Sequence, residues 1–91
     1  MDNSEEIKNN AKKVWSGFAP LENLTGTAAP RLIKFANINK NQKILDVACG
    51  TGVVALTAAR SGANVFGSDL TPELLERAEE NNKLFKLSVK F

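Results

Sequence analysis

With 91 residues the chain can form one small domain, and a domain of this size buries only about 60% of the surface that its unfolded form exposes. Its 43% hydrophobic and 24% charged residues are those of a globular protein and exclude a disordered or collagen-like chain. The net charge of +2 comes from lysines scattered among glutamates, so neither a nucleic acid partner nor an anionic membrane surface is expected.

In chain order, Asn3 and Ser4 precede two glutamates, and Ile7, Ala11, Val14, Trp15 and Phe18 recur at helical spacing. This predicts an amphipathic helix over residues 4–18, ended by Gly17 and Pro20, with Trp15 and Phe18 as packing residues. A second helix is expected from Ala28 to Asn37. Thr27 is its candidate cap, Pro30 lies in the tolerant first turn, and Leu32, Ile33, Phe35 and Ala36 form its buried side. Residues 37–42 are polar and read as a loop. The first twenty residues hold no apolar signal core, and no stretch approaches the roughly 18 apolar residues that span a bilayer. The single cysteine, Cys49, and the absence of histidine exclude an intrachain disulfide and the usual multi-cysteine zinc site. A reducing, cytoplasmic compartment is the corresponding expectation.

From Lys43 the texture changes. Residues 43–47 (KILDV) are short and apolar, as in a buried parallel strand, and residues 48–52 (ACGTG) form a turn. Val53 to Arg60 is a short alanine-rich helix with Gly62 just past its end, and residues 63–68 are a second strand. Thr71 and Pro72 open a fourth helix whose Leu74, Leu75 and Ala78 face inward, with Glu73 and Arg77 spaced to pair. Phe85, Leu87, Val89 and Phe91 then alternate with polar residues, the period of a strand with one covered face. Strands alternating with helices predict an open α/β sheet, two helices followed by β-α-β-α-β, with ligands bound outside the carboxyl ends of the strands.

That edge carries the chemistry. Gly50 and Gly52 let the backbone turn sharply and let a ligand approach without meeting a β-carbon. The amino end of the following helix points at the same spot, so the turn is expected to hold an anion. Asp69, nineteen positions after Gly50 at the tip of the second strand, is placed to accept hydrogen bonds from a ribose diol. Asp46 is a carboxylate inside an apolar strand, an arrangement that costs free energy unless a hydrogen bond or a cation compensates it.

Residues 46–82, DVACGTGVVALTAARSGANVFGSDLTPELLERAEENN, resemble the first two βα units of class I S-adenosylmethionine-dependent methyltransferases. They are most similar to the branch that includes ubiquinone and menaquinone biosynthesis methyltransferases. The resemblance implies a Rossmann-like open parallel sheet with S-adenosylmethionine as cofactor and a small-molecule methyl acceptor. Asp46, Ala48, Cys49, Gly50, Thr51 and Gly52 would be the glycine-loop signature near the methionine portion, with Cys49 a small packing residue. Asp69 would bind the ribose, and Leu70 would pack near adenine. Ala48 stands where many members have the first glycine. Residues 1–42 are then a helical segment and 43–91 the first half of the cofactor domain. The family fold continues with further strands and the acceptor site, so the chain reads as a truncated, inactive piece with an apolar sheet edge free for self-association.

Two other readings are weighed against this one. Residues 50–55 (GTGVVA) also satisfy a dinucleotide fingerprint, against which Asp46 argues, since that fingerprint gives no reason for a carboxylate there. A non-catalytic interaction module using the sheet edge is the second.

Overall fold

The computed structural model describes residues 3–91, the side chains of residues 18, 19, 21, 22 and 24 excepted. Helix α1 spans Ser4–Trp15, followed by a 3-10 helix at Ser16–Leu21, the single turn α2 at Glu22–Thr25, and α3 at Ala29–Phe35. Strand β1 is Lys43–Val47, α4 Val53–Arg60, β2 Asn64–Ser68 and α5 Pro72–Leu84. None of these helices is long and apolar enough to cross a membrane.

β1 and β2 pair in parallel, with Lys43 opposite Asn64 and Val47 opposite Ser68. The third strand expected from the alternation at the end of the chain is reduced to one parallel bridge, Phe66 to Lys90. Two bonds hold it: the Gly67 N–H donates to the Lys90 carbonyl (2.8 Å) and the Lys90 N–H to the Val65 carbonyl (3.1 Å). Lys86 in the left-handed conformation (φ 55°) breaks the extended run. Phe85 is therefore no strand residue and lies exposed under the Arg60 guanidinium, 4.5 Å from its ring centroid. Buried Asn82 replaces part of the missing ladder, donating from Nδ2 to the Val89 carbonyl (2.9 Å) and accepting from the Val89 N–H (3.2 Å). A buried amide with both ends satisfied fixes the segment as a strand partner would.

The core lies on one side of the sheet. Ile33, Ala55, Leu56, Ala58, Ala63, Val65 and Val89 pack together, with Ile44, Leu87 and Phe91 against them. α4 lies on both strands, and α3 packs on α4. The opposite face of the sheet is uncovered: Leu45 and Val47 are 65% and 69% exposed, and Phe66 is exposed beside them. β1 is thus covered on one face only, not buried on both as its apolar run predicts, because among the described residues no helix covers Leu45 and Val47. Gly62 closes α4 as expected, at φ 88° with its N–H on the Ala59 carbonyl.

The amino-terminal helices depart furthest from the sequence reading. α1 ends at Trp15 and has no buried residue; Ile7, Val14 and Trp15 are exposed, and the Phe18 side chain lies outside the described residues. In α3 the buried residues are Ala29 and Ile33, whereas Phe35 is 90% exposed and Leu32 half exposed. Ala28, not Thr27, is its cap residue. Periodicity identified amphipathic helices correctly, but which apolar residues are covered depends on where a neighbour stands. In α5, Arg77 pairs with Glu80 at 3.4 Å.

Candidate functional site

β1 ends in a turn built from left-handed residues: Ala48 (φ 58°), Gly50 (φ 59°) and Gly52 (φ 85°). The Cys49 N–H donates to the Ser68 carbonyl (2.8 Å) and the Gly52 N–H to the Cys49 carbonyl (3.0 Å). The turn is therefore tied to the end of β2 before α4 begins. The two glycines do different work. A β-carbon on Gly50 would meet nothing within 4 Å, so this residue faces open space. A β-carbon on Gly52 would lie 3.0 Å from the Phe91 ring and 3.3 Å from the Ala78 methyl, so Gly52 faces the interior. The expectation that a side chain at Gly52 would fill a ligand's space is corrected: it would collide with the packing behind the turn.

Ala48 is the one β-carbon-bearing member of this left-handed set. A left-handed non-glycine residue costs about 1–2 kcal/mol, and glycine's extra chain entropy offsets about 0.5–1 of that. Ala48→Gly is therefore expected to stabilise the fold by about 0.5–1 kcal/mol, raising Tm by a few degrees in a domain of this size. A thermal melt of the variant checks this, and an unchanged or lower Tm would contradict the strain.

Asp69 sits at the tip of β2 and uses both carboxylate oxygens. Oδ2 accepts the Gly50 N–H (2.8 Å) and Oδ1 the Thr71 N–H (2.9 Å). One acid thus joins the glycine turn to the start of α5, and Thr71 supplies no side-chain cap there. Buried Asn81, which the sequence reading passed over, joins them again by donating from Nδ2 to the Thr51 carbonyl (3.3 Å). A lone polar residue on a helix carries no signal that it will meet a loop thirty residues away.

Asp46 points to the core side of β1, toward the first turn of α4. Its Oδ2 is buried and, among the described residues, has no hydrogen-bond partner. Burial raises its pKa; the Ala55 N–H opposes the rise, and the neighbouring Asp69 charge adds to it. The Cys49 thiol is pushed up to about 12, first by burial and then by the charges of Asp46 and Asp69. Burial and the two carboxylates thus disfavour the reactive thiolate form at neutral pH.

These residues share one cavity of about 520 Å³, lined by Asp46, Ala48, Cys49, Gly50, Thr51, Asp69 and Leu70 on the sheet side and by Ala11, Trp15 and Thr25 on the other. Seven of the eight residues singled out in the sequence thus meet in one place, and Gly52 stands behind them. Two of the N–H groups at the turn and helix start are engaged by acids of the chain itself. The Gly50 N–H is taken by Asp69, the Ala55 N–H in the first turn of α4 serves Asp46, and two carboxylates face the space. Trp15, read from the sequence as a packing residue, is a cavity wall with 51% of its surface exposed.

A parallel βαβ unit with a glycine turn leading into its helix, and an acid at the tip of the neighbouring strand, defines a Rossmann-like α/β ligand-binding fold. The profile of the family described as a methyltransferase domain matches residues 44–91, and the chain belongs to that family. An uncharacterized protein of Mycobacterium tuberculosis is 47% identical over 58 residues, 64% of this chain and 21% of its own. A ribosomal protein L11 methyltransferase of Paraburkholderia phymatum is 42% identical over 48 residues, 52% of this chain and 16% of its own. Among solved structures, phosphoethanolamine N-methyltransferase 2 of Haemonchus contortus in complex with S-adenosyl-L-methionine superposes with a TM-score of 0.58 at 31% identity, covering 72% of this chain and 15% of that one. The chain thus spans about a fifth or less of these relatives.

Proposed function

We propose that this chain supplies the S-adenosylmethionine-binding portion of a methyltransferase, with residues 43–91 as the cofactor half and residues 1–42 as its helical cover. The observation that carries the reading is the partnerless Asp46 oxygen beside a second carboxylate in the cavity at the glycine turn. A ligand with an ammonium group and a ribose answers both acids. Asp46 would face the ammonium, and Gly50, having no β-carbon, would let the methionine portion lie against the turn. Asp69 accepts one N–H on each oxygen, and a carboxylate has about four lone-pair sites, so capacity remains for a ribose diol. Leu70, half exposed at the cavity edge, would cover adenine. When bound, the cofactor supplies an electrophilic methyl group; these residues hold and orient it.

Within the family, the resemblance of residues 46–82 to the ubiquinone and menaquinone biosynthesis branch supports a small-molecule acceptor. The phosphoethanolamine enzyme among the structural neighbours supports the same class. The L11 methyltransferase relative makes a protein acceptor the competing outcome. The dinucleotide reading is disfavoured by the family match and by Asp46.

Calorimetric titration with S-adenosylhomocysteine and with NAD tests the reading. Tighter binding of S-adenosylhomocysteine is expected, and tighter binding of NAD would overturn it. Asp69→Ala should weaken S-adenosylhomocysteine binding by about 1.5–3 kcal/mol, the range for hydrogen bonds to a charged group. Wild-type affinity in that variant would remove Asp69 from the site.

A further inference from the structure

A second cavity, of about 300 Å³, lies between α4 and α5. That volume is at the lower end of small-molecule sites, roughly 300–1,000 Å³. Its lining shares only Val53 with that of the first cavity, and neither Asp46 nor Asp69 belongs to it. The apolar part is Val53 and Leu56 of α4 with Leu84 and Phe85 at the end of α5. Leu84 is 72% and Phe85 48% exposed, and large apolar side chains left open in a concave place mark a binding site. The charged part is cationic: Arg60 and Arg77 line the cavity, and among the described residues no carboxylate does. Arg77 has one nitrogen 3.4 Å from Glu80, whereas Arg60 is in no ion pair among the described residues. The Arg60 guanidinium lies 4.5 Å from the Phe85 ring centroid, a contact that holds the group in place and uses none of its hydrogen-bond donors. Those donors match the two oxygens of a carboxylate.

We propose that this cavity is a second ligand site, which takes a small carboxylate with an apolar body: the carboxylate on Arg60, the body against Leu84, Phe85 and the α4 side chains. The site is separate from the cofactor cavity and does not depend on the cofactor reading. A bare inorganic anion would leave the apolar lining in water, and an uncharged apolar molecule would leave the Arg60 donors unused, so the two halves of the lining select together.

Hexanoate is the probe, with inorganic phosphate as the anion without a body and hexanol as the body without a charge. Titration of the full isotope-labelled chain, followed by NMR, should move the amide signals of Leu84 and Phe85 and the side-chain N–H of Arg60, and leave those of Asp46 and Gly50 in place. Hexanoate should bind more tightly than either control. Arg60→Gln should raise the hexanoate Kd by about tenfold, the scale of hydrogen bonds to a charged group. Lys83→Gln, which removes the same charge outside the cavity lining, should keep wild-type affinity. Circular dichroism melts check that the variants are folded. Leu84→Ala, at a largely exposed side chain, should raise the Kd severalfold and keeps the site testable if Arg60→Gln loses its fold. Absence of saturable shifts with hexanoate, equal binding of phosphate or hexanol, shifts at the glycine turn instead of at Phe85, or wild-type affinity in a folded Arg60→Gln variant would each overturn the proposal.

Discussion

Gly52→Val is expected to unfold much of this protein, whereas Gly50→Ala, two residues earlier, should lose ligand binding and keep the fold. Gly52 is left-handed at φ 85°, where a β-branched side chain is strained, and its β-carbon would lie 3.0 Å from Phe91 and 3.3 Å from Ala78. The strain costs about 1–2 kcal/mol and overpacking a further 1–3. Together these consume a large part of the 5–15 kcal/mol typical of a folded domain, and this one has no disulfide to reinforce it. The effect propagates because Phe91 also lies against Gly67, where a β-carbon would sit 2.7 Å from its ring. Displacing that ring disturbs the place where the last segment meets β2. Gly50 has open space around it, so alanine there costs only the left-handed strain and obstructs the cavity. Thermal unfolding followed by circular dichroism, paired with S-adenosylhomocysteine titration, separates the two. A Gly52→Val protein that melts like wild type would show that Phe91 does not pack behind the turn.

Asp46→Asn should move stability and binding in opposite directions. The Asp46 pKa is raised by burial, so between the ordinary carboxylate value and the raised one the folded state holds a proton that the unfolded state has released. Stability therefore falls as pH rises through that window, and at neutral pH the ionised, half-buried carboxylate weakens the fold. Asparagine retains an acceptor for the Ala55 N–H and removes the charge. A gain of about 1 kcal/mol at neutral pH is expected after allowing for the partial solvent exposure of the group, and the difference from wild type should shrink as the pH falls. Binding should weaken by about 1.5–3 kcal/mol, because the ligand ammonium loses its ionised partner. Wild-type affinity should rise with pH through the same window, a dependence that the variant lacks. Melts and titrations across acid to neutral pH measure both effects. A variant less stable than wild type at neutral pH, with undiminished affinity, would mean that Asp46 is a structural acid.

The local signals in residues 43–82 were legible because each depends on a few neighbours in sequence. Strand, glycine turn, helix and capping positions fell where propensity and chirality put them: β1 at 43–47, α4 at Val53–Arg60 and Gly62 just beyond. The acid at the tip of β2 followed from the parallel register, since crossing from β1 to β2 brings Asp69 beside Gly50. What lay beyond sequence was every contact whose partner is distant along the chain. Whether Trp15 is core or cavity wall depends on where α1 stands over the sheet. Asn81 and Asn82 acquire roles only because α5 places them against Thr51 and Val89. The sign of the site was also decided in three dimensions. Glycine turns offer N–H groups in sequence, but here Asp69 occupies the Gly50 N–H and Asp46 is turned toward that of Ala55, and both carboxylates line the cavity. Periodicity and chirality are properties of a short stretch of backbone and survive in the sequence; satisfaction of a buried polar group depends on the whole packing around it, which only the folded chain supplies.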